Sequence, residues 1–221
     1  MSKVHPDQNQ CQDLKSTHLH ENAENHSSCN RCRDRPRCHP SLCALTVWKR
    51  SSMSFQGTDG FTVFDGSGRL AFRVDNYSRK DRGLVLMDGS GEVLLTLKPQ
   101  RWSMQYQWHG YRGESQKSQE FTMMRRRSRE HEAVVFMGTR AEGEADFKVE
   151  GSFGRRNCKI KTANDRLAAV IARKRVNPTV LLSDDVFSLV VQPDFDPQLI
   201  MAFVIVLDRI CPKPFTPLLC S

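Results

Sequence analysis

The stretch that decides the fold is 196-DPQLIMAFVIVLDRICP-212, near the C-terminus. Its nine consecutive apolar residues, 199–207, follow Asp196, a good helix N-cap, and Pro197, which suits the first helical position. Arg209 falls in the predicted last turn, and a proline ends the segment. The pattern predicts a helix of roughly 13 residues, about 20 Å long.

This predicted helix is apolar on every side, so it has no face that water could solvate. It is shorter than the about 20 apolar residues that a bilayer requires, which leaves burial inside the protein. Because the rest of the chain has the pattern of short strands, we expect the helix to run through the middle of a β-barrel. Its predicted buried residues include Leu199, Phe203, Val204 and Leu207. A buried strand is the alternative, because residues 204–206 are β-branched.

Two hairpins upstream are predicted by one pattern: an apolar run, the turn sequence Asp-Gly-Ser-Gly, and a second apolar run. The two turn sequences begin at Asp65 and Asp88. Strands separated by turn signals are typical of a sandwich or a barrel, and closure into a barrel would remove exposed sheet edges. The predicted strands cover residues 45–48, 61–64, 70–74, 84–87, 93–97, 102–111, 121–126, 133–139, 145–151, 158–162, 168–173 and 186–192.

The chain resembles the LURP-one-related family of plants over roughly residues 45–210. The matching segments are GFTVFD (60–65), GRLAFRVDNY (68–77), LMD (86–88), GEVLLTL (91–97), FD (195–196) and VLD (206–208). The resemblance implies a tubby-like fold, a closed antiparallel barrel of about twelve strands around a C-terminal helix. The tubby C-terminal domain, which binds phosphoinositides, and the phospholipid scramblases share that fold. The family is linked to plant defence, but a shared fold implies no shared chemistry.

Three parts of the chain are predicted: a Cys- and His-rich disordered tail (1–43), the barrel domain (44–212) and a short C-terminal tail (213–221). The sequence has no apolar secretory signal, no lipidation motif at either end and no membrane-spanning segment. We therefore expect a cytoplasmic protein, with a membrane-peripheral or nuclear location as the alternatives. We also expect a monomer. The eight cysteines are expected to be free thiols in that reducing compartment.

A net charge of +8 favours anionic partners, either phospholipid head groups or nucleic acid, although an ordinary solvated basic surface is the plain alternative. Arginine binds phosphate oxygens in pairs, and each basic residue near an anionic membrane contributes about 1 kcal/mol. By alternation, Lys159 and Lys161 point outward if Cys158 and Ile160 point inward. The candidate anion-binding residues are Arg125, Arg126, Arg127, Arg129, Arg155, Arg156, Lys159, Lys161, Arg173, Lys174 and Arg175.

The sequence evidence for a metal or cofactor site is weaker than the evidence for an anion-binding surface. Cysteines 29, 32, 38 and 43 contain one CxxC pair, which is half of a zinc site. Palmitoylation beside the tail arginines and idle free thiols are the alternatives. The Asp-Gly-Ser-Gly sequences lack the acidic spacing of a calcium loop, so plain turns are favoured. No cofactor is expected. The weak metal candidates are Cys29, Cys32, Cys38 and Cys43.

Catalytic patterns are missing from the sequence, which contains no nucleophile elbow, phosphate loop or HExxH motif. His109 and His131 are expected to be ordinary strand or loop residues, and Cys158 an inert core thiol. By strand alternation, the side chains of Trp102, Tyr106 and Trp108 lie on the same face of the predicted strand. This pattern favours a position in the core.

The functional hypothesis is a non-enzymatic tubby-like barrel that binds anionic phospholipid or phosphoinositide head groups at a membrane surface, in plant defence or signalling. The alternative is a membrane-tethered or nuclear, transcription-linked protein that binds nucleic acid or a protein partner through the same basic clusters.

Overall fold

The structure is a computed structural model whose described residues all lie in the compact unit Cys38–Ser221. The described residues are 42–50, 60–75, 83–100, 106–115, 117–126, 131–177 and 179–211. They form twelve strands and one helix. The strands are β1 (Cys43–Arg50), β2 (Gly60–Phe64), β3 (Leu70–Asp75), β4 (Leu84–Asp88), β5 (Val93–Pro99), β6 (Gln107–Arg112), β7 (Gln119–Arg125), β8 (His131–Met137), β9 (Phe147–Ser152), β10 (Asn157–Thr162), β11 (Leu167–Arg173) and β12 (Val186–Val191).

The strands form a closed barrel in chain order, each antiparallel to its neighbours. The closing pair joins β1 to β12, with Leu45 opposite Leu189. Closure leaves no unpaired edge among these strands, which removes the aggregation hazard of an open sheet. The predicted closed antiparallel barrel is confirmed. Most strand boundaries differ from the prediction by one or two residues, and β1 begins at Cys43, inside the predicted tail. The largest difference is at β6, which begins at Gln107, five residues after the predicted start.

The helix α1 (Pro197–Ile210) fills the barrel, as predicted, and the alternative of a buried strand is wrong. The Asp196 carboxylate caps it by accepting a hydrogen bond from the backbone N–H of Gln198 at 2.9 Å. Phe203, Val204 and Leu207 are fully buried. Leu199 is only half-buried and packs against the edge of the core. Among the described residues, no helix has the length and apolarity needed to cross a membrane.

The helix is seated on aromatic rings of the barrel wall. The Phe203 ring meets Phe121 edge-on at 4.8 Å between centroids and lies 5.4 Å from Phe147. Gly110 on β6 pairs with Phe121 on β7. A Cβ atom at Gly110 would overlap the Phe121 ring. Because Gly110 has no side chain, the Phe121 ring that supports the helix can occupy the space beside it.

The barrel has two distinguishable ends. α1 starts at one end, near the Asp65 turn, and finishes at the other, where the Lys49 amine reaches Asp208 at 2.8 Å. We call these the helix-N end and the helix-C end. Because consecutive strands are antiparallel, alternate connections return to the same end. The β7–β8, β9–β10 and β11–β12 connections all lie at the helix-C end.

We predict that Gly110→Ala lowers the free energy of unfolding by about 1–3 kcal/mol, the usual cost of overpacking a core. Gly110 has no unusual backbone angle, so the Phe121 ring is the obstacle. Gly66→Ala is the matched control, because the nearest atom to its added Cβ is 3.9 Å away. Urea denaturation of both variants measures the difference, and equal stabilities would contradict this account of the helix seat.

Candidate functional site

Basic residues that are far apart in sequence meet at the helix-C end. They lie where β7 ends, in the β9–β10 turn and where β11 ends, and the six strands β7–β12 are consecutive around the barrel. The residues brought to this end are Arg125, Arg126, Arg155, Arg156, Arg173, Lys174 and Arg175. Arg127 and Arg129 lie outside the described residues. Topology thus merges three sequence clusters into one basic end.

The basic residues at the helix-C end differ in their exposure and in their ion pairs. Arg126 and Arg155 are exposed, and within the described part of the chain neither forms an ion pair. Arg173 pairs with Asp184 at 3.1 Å. The half-buried Lys174 donates a hydrogen bond to the neutral Thr46 hydroxyl at 3.2 Å and forms no ion pair with a residue that the structure describes. Arg126 and Arg155 are therefore the side chains best placed to meet an anion.

The two lysines of β10 behave differently from each other. Both point away from the core, since Cys158 and Ile160 are buried, as the alternation predicted. Lys159 is exposed. Lys161 lies 2.8 Å from Glu150 and 3.6 Å from Asp165, and the hydrogen bond with Glu150 raises the pKa of Lys161. Lys161 is thus engaged by carboxylates and is not brought into the basic end.

Arginines at the helix-N end are paired with carboxylates. The pairs are Arg69–Asp65 at 3.0 Å, Arg112–Glu120 at 2.7 Å, Arg140–Asp146 at 2.7 Å and Arg166–Asp194 at 2.7 Å. Their charges are balanced locally, whereas Arg126 and Arg155, which form no ion pair within the described residues, lie at the other end. The negative partial charge at the C-terminus of a helix also faces the basic end and complements it.

The two Asp-Gly-Ser-Gly sequences are structural turns. The Asp65 carboxylate accepts hydrogen bonds from the Ser67 hydroxyl at 2.6 Å and from the Arg69 N–H at 2.9 Å. These bonds, led by the Ser67 hydroxyl, lower the pKa of Asp65 to about 2. Asp88 repeats the arrangement with the Ser90 hydroxyl at 2.7 Å. Each carboxylate is committed to its own turn, which agrees with the plain-turn interpretation.

Arg156 corrects one sequence prediction. It was grouped with the surface arginines, yet its side chain is only 2% exposed. The guanidinium lies between the rings of Phe153 and Phe187, at 4.3 and 4.2 Å from their centroids. Its Nη1 is buried without a hydrogen-bond partner, so the electron-rich ring faces supply part of its stabilisation. Arg156 is therefore an interior cation and does not face solvent.

Asp208 at the end of α1 explains why an arginine is buried here. Its carboxylate lies 2.8 Å from the Lys49 amine and 3.8 Å from Arg156 Nη2. Arg156 Nε also donates to the backbone carbonyl of Asp184 at 2.9 Å. Burial lowers the pKa of Arg156, while the nearby Asp208 and Asp184 charges oppose that shift. This network ties the helix end to β1, to the β9–β10 turn and to the β11–β12 connection.

The buried thiols at this end are held in the unreactive form. Burial raises the pKa of Cys158 to about 12 and also raises the pKa of Cys211. Glu132 adds to both shifts through its negative charge, and its carboxylate accepts the Phe153 N–H at 2.6 Å. Because the thiolate is the nucleophilic form, these cysteines are poorly suited to covalent chemistry.

His109 also has a structural environment. Its ring nitrogens lie 3.1 Å from the Thr122 hydroxyl and 3.0 Å from the Gln100 side-chain oxygen. Burial lowers the pKa of His109, which favours the neutral imidazole. Thr122 is fully buried, so the hydroxyl beside His109 is not accessible to a substrate from solvent.

The cysteine cluster of the tail remains a prediction. Cys29, Cys32 and Cys38 lie outside the described residues, while Cys43 is half-buried in β1 and forms no disulfide within the described part of the chain. No group of three or more metal-ligating side chains occurs in the part of the chain that the structure describes.

Two aromatic side chains, those of Tyr106 and Trp48, are exposed although the sequence pattern did not predict it. Trp108 is buried as expected, but Tyr106 precedes β6 and is 68% exposed, so its predicted core position is wrong. Trp102 lies outside the described residues. Trp48 is 52% exposed near the helix-C end of β1, and the alternation of buried Leu45 and Val47 could have revealed its outward direction.

Comparison with known proteins identifies the family. The model of the family described as LURP-one-related matches residues 43–208. The chain belongs to the LURP-one-related family. It is 41% identical to "Protein LURP-one-related 5" of Arabidopsis thaliana over 78% of this chain and 85% of the relative, and 36% identical to "Protein LURP-one-related 8" over 78% and 92%. An X-ray structure of an Arabidopsis thaliana protein is similar with a TM-score of 0.60 and 25% identity, covering 78% of this chain and 93% of that one.

We predict that Arg156→Met destabilises this LURP-one-related barrel by about 3 kcal/mol, the lower end of the cost of breaking a buried ion pair, because Asp208 loses the buried guanidinium but keeps Lys49 at 2.8 Å. Arg155→Met is the control, because Arg155 itself is exposed and such surface changes usually stay within about 0.5 kcal/mol. Thermal and urea unfolding of the two variants test the difference. Equal effects at both positions would show that the buried cation does not hold the helix end.

Proposed function

We propose that this LURP-one-related barrel is a non-enzymatic, peripheral membrane protein whose helix-C end binds anionic phospholipid head groups. The proposal places it at the cytoplasmic face of a membrane, as a monomer. A role in plant defence or signalling is added on the family resemblance alone. The observation that carries the proposal is the convergence of basic residues from three separate connections at one end of the barrel.

The charge pattern supports an anionic partner at this end. Arg126 and Arg155 form no ion pair within the described residues, and the exposed Lys159 lies on the adjoining strand. Arginine can bind two phosphate oxygens at once, and each basic residue near an anionic membrane contributes about 1 kcal/mol. A few such residues on one end would give reversible attachment that weakens as salt screens the charges.

The test uses the charge-reversal variant Arg126→Glu/Arg155→Glu and vesicles of phosphatidylcholine with phosphatidylserine or a phosphoinositide. We predict that reversal weakens vesicle binding on the order of 100-fold, because two attractions become two repulsions. Flotation at several salt concentrations measures the affinity. Binding of the unmodified protein should also fall as salt rises.

The matched control is Lys117→Glu/Arg69→Glu, which changes the net charge equally at the helix-N end. Both side chains are exposed, so the fold should tolerate the change. This control should lose much less affinity than the reversal at the helix-C end. Equal losses would indicate a response to total charge. If the unmodified protein ignores anionic vesicles at low salt and binds DNA with a steep salt dependence, the nucleic-acid alternative replaces the proposal.

A further inference from the structure

The β11–β12 connection is itself a small hairpin at the helix-C end. Arg175 pairs with Leu181 in an antiparallel bridge. The Val176 N–H donates to the Val180 carbonyl at 3.0 Å, and the Leu182 N–H donates to the Lys174 carbonyl at 2.9 Å. Because these pairs lie beyond the last residue of β11 and before the first residue of β12, the hairpin extends past the barrel wall.

The tip of this hairpin is fixed by a polar side chain. The Asn177 side-chain oxygen accepts hydrogen bonds from the backbone N–H groups of Thr179 at 3.0 Å and Val180 at 2.7 Å. The Thr179 hydroxyl donates to the same oxygen at 2.9 Å. An Asx turn of this kind holds its conformation without burial in a core. The neighbouring apolar side chains are therefore presented to solvent in a preformed arrangement.

Three apolar side chains of the hairpin face water. Val176 is 67% exposed, Val180 47% and Leu181 39%. Trp48 is 52% exposed on β1, which pairs with β12, and Lys174 hydrogen-bonds to Thr46 of that same strand. Apolar side chains grouped in this way on a surface mark an interaction site more often than scattered ones do.

The basic residues next to the apolar tip indicate which kind of surface the tip binds. Lys174 and the exposed Arg175 stand at the base of the hairpin, directly behind Val176. Asp184 forms its ion pair with Arg173, at 3.1 Å. An apolar tip with a basic base matches an anionic bilayer, in which the acyl boundary lies beneath a layer of phosphates. Tryptophan also favours that interface, which suits the position of Trp48.

We propose that the hairpin, described over residues 174–177 and 179–182, inserts its apolar side chains into the interface of an anionic lipid bilayer. Val176, Val180 and Leu181 enter the boundary between head groups and acyl chains, while Lys174 and Arg175 contact lipid phosphates. This inference rests on the proposed function and adds a mode of attachment to it. The basic end supplies attraction from a distance, and the hairpin supplies contact that salt does not screen.

The experiment compares two uncharged double variants. Val176→Ser/Leu181→Ser removes apolar surface from the hairpin. Leu42→Ser/Leu70→Ser removes comparable surface at the helix-N end, where the two leucines are 58% and 39% exposed. Both variants keep the net charge, and unchanged melting temperatures establish that each is folded. Binding is measured on vesicles of phosphatidylcholine and phosphatidylserine, and insertion as the rise in surface pressure of a monolayer of the same lipids.

The hairpin variant is expected to bind about tenfold more weakly than the unmodified protein and to lose most of the pressure rise, since 1.4 kcal/mol of lost apolar transfer corresponds to tenfold. The helix-N variant should match the unmodified protein in both measurements. If the unmodified protein binds anionic vesicles and the hairpin variant binds and inserts equally well, insertion is wrong while head-group binding stands. An apolar tip reserved for a protein partner would give that result. If the unmodified protein does not bind, head-group binding fails and the inference fails with it.

Discussion

Enclosure of an entirely apolar helix is the constraint on which the rest of this structure depends. A helix without a polar face must be surrounded, and twelve strands in a closed antiparallel ring surround α1 completely. The ring must then leave room for its contents, which is why Gly110 carries no side chain beside Phe121 and why Phe121 can meet Phe203. The closed barrel and its packed core together bury the apolar surface of the helix.

The polar end of the helix introduces the next requirement. Asp208 cannot lie at the rim of an apolar core without a compensating charge, because an isolated buried carboxylate is costly. Lys49 and Arg156 supply that charge, and Phe153 and Phe187 cover the guanidinium of Arg156. The same contacts join the helix end to β1, to the β9–β10 turn and to the β11–β12 connection. The helix-C end is consequently a fixed platform on which exposed side chains have defined positions.

Antiparallel connectivity gives this platform its charge. Every second connection returns to the same end, so clusters separated by dozens of residues become neighbours around the rim. At the helix-N end the arginines face carboxylates, whereas Arg126 and Arg155 at the helix-C end do not within the described residues. The hairpin with Val176 and Val180 rises from this end as well. Arg126, Arg155 and the exposed apolar side chains therefore lie at the same end of the barrel, as reversible attachment to a charged interface requires.

The sequence by itself determined the elements: period-two apolar runs and Asp-Gly turns define hairpins, and a capped apolar run defines the central helix. It also determined which side of β10 faces outward. Only the tertiary structure decided the fate of individual charges. Arg155 and Arg156 are adjacent and chemically identical, yet one meets water and the other lies between two rings, because Asp208 and Phe187 come from elements distant in sequence. The exposure of Tyr106 and the projection of Val176 were likewise set by where strands end in space. Local pattern fixes secondary structure through backbone geometry, but burial and ion pairing depend on long-range contacts that no short window of sequence contains.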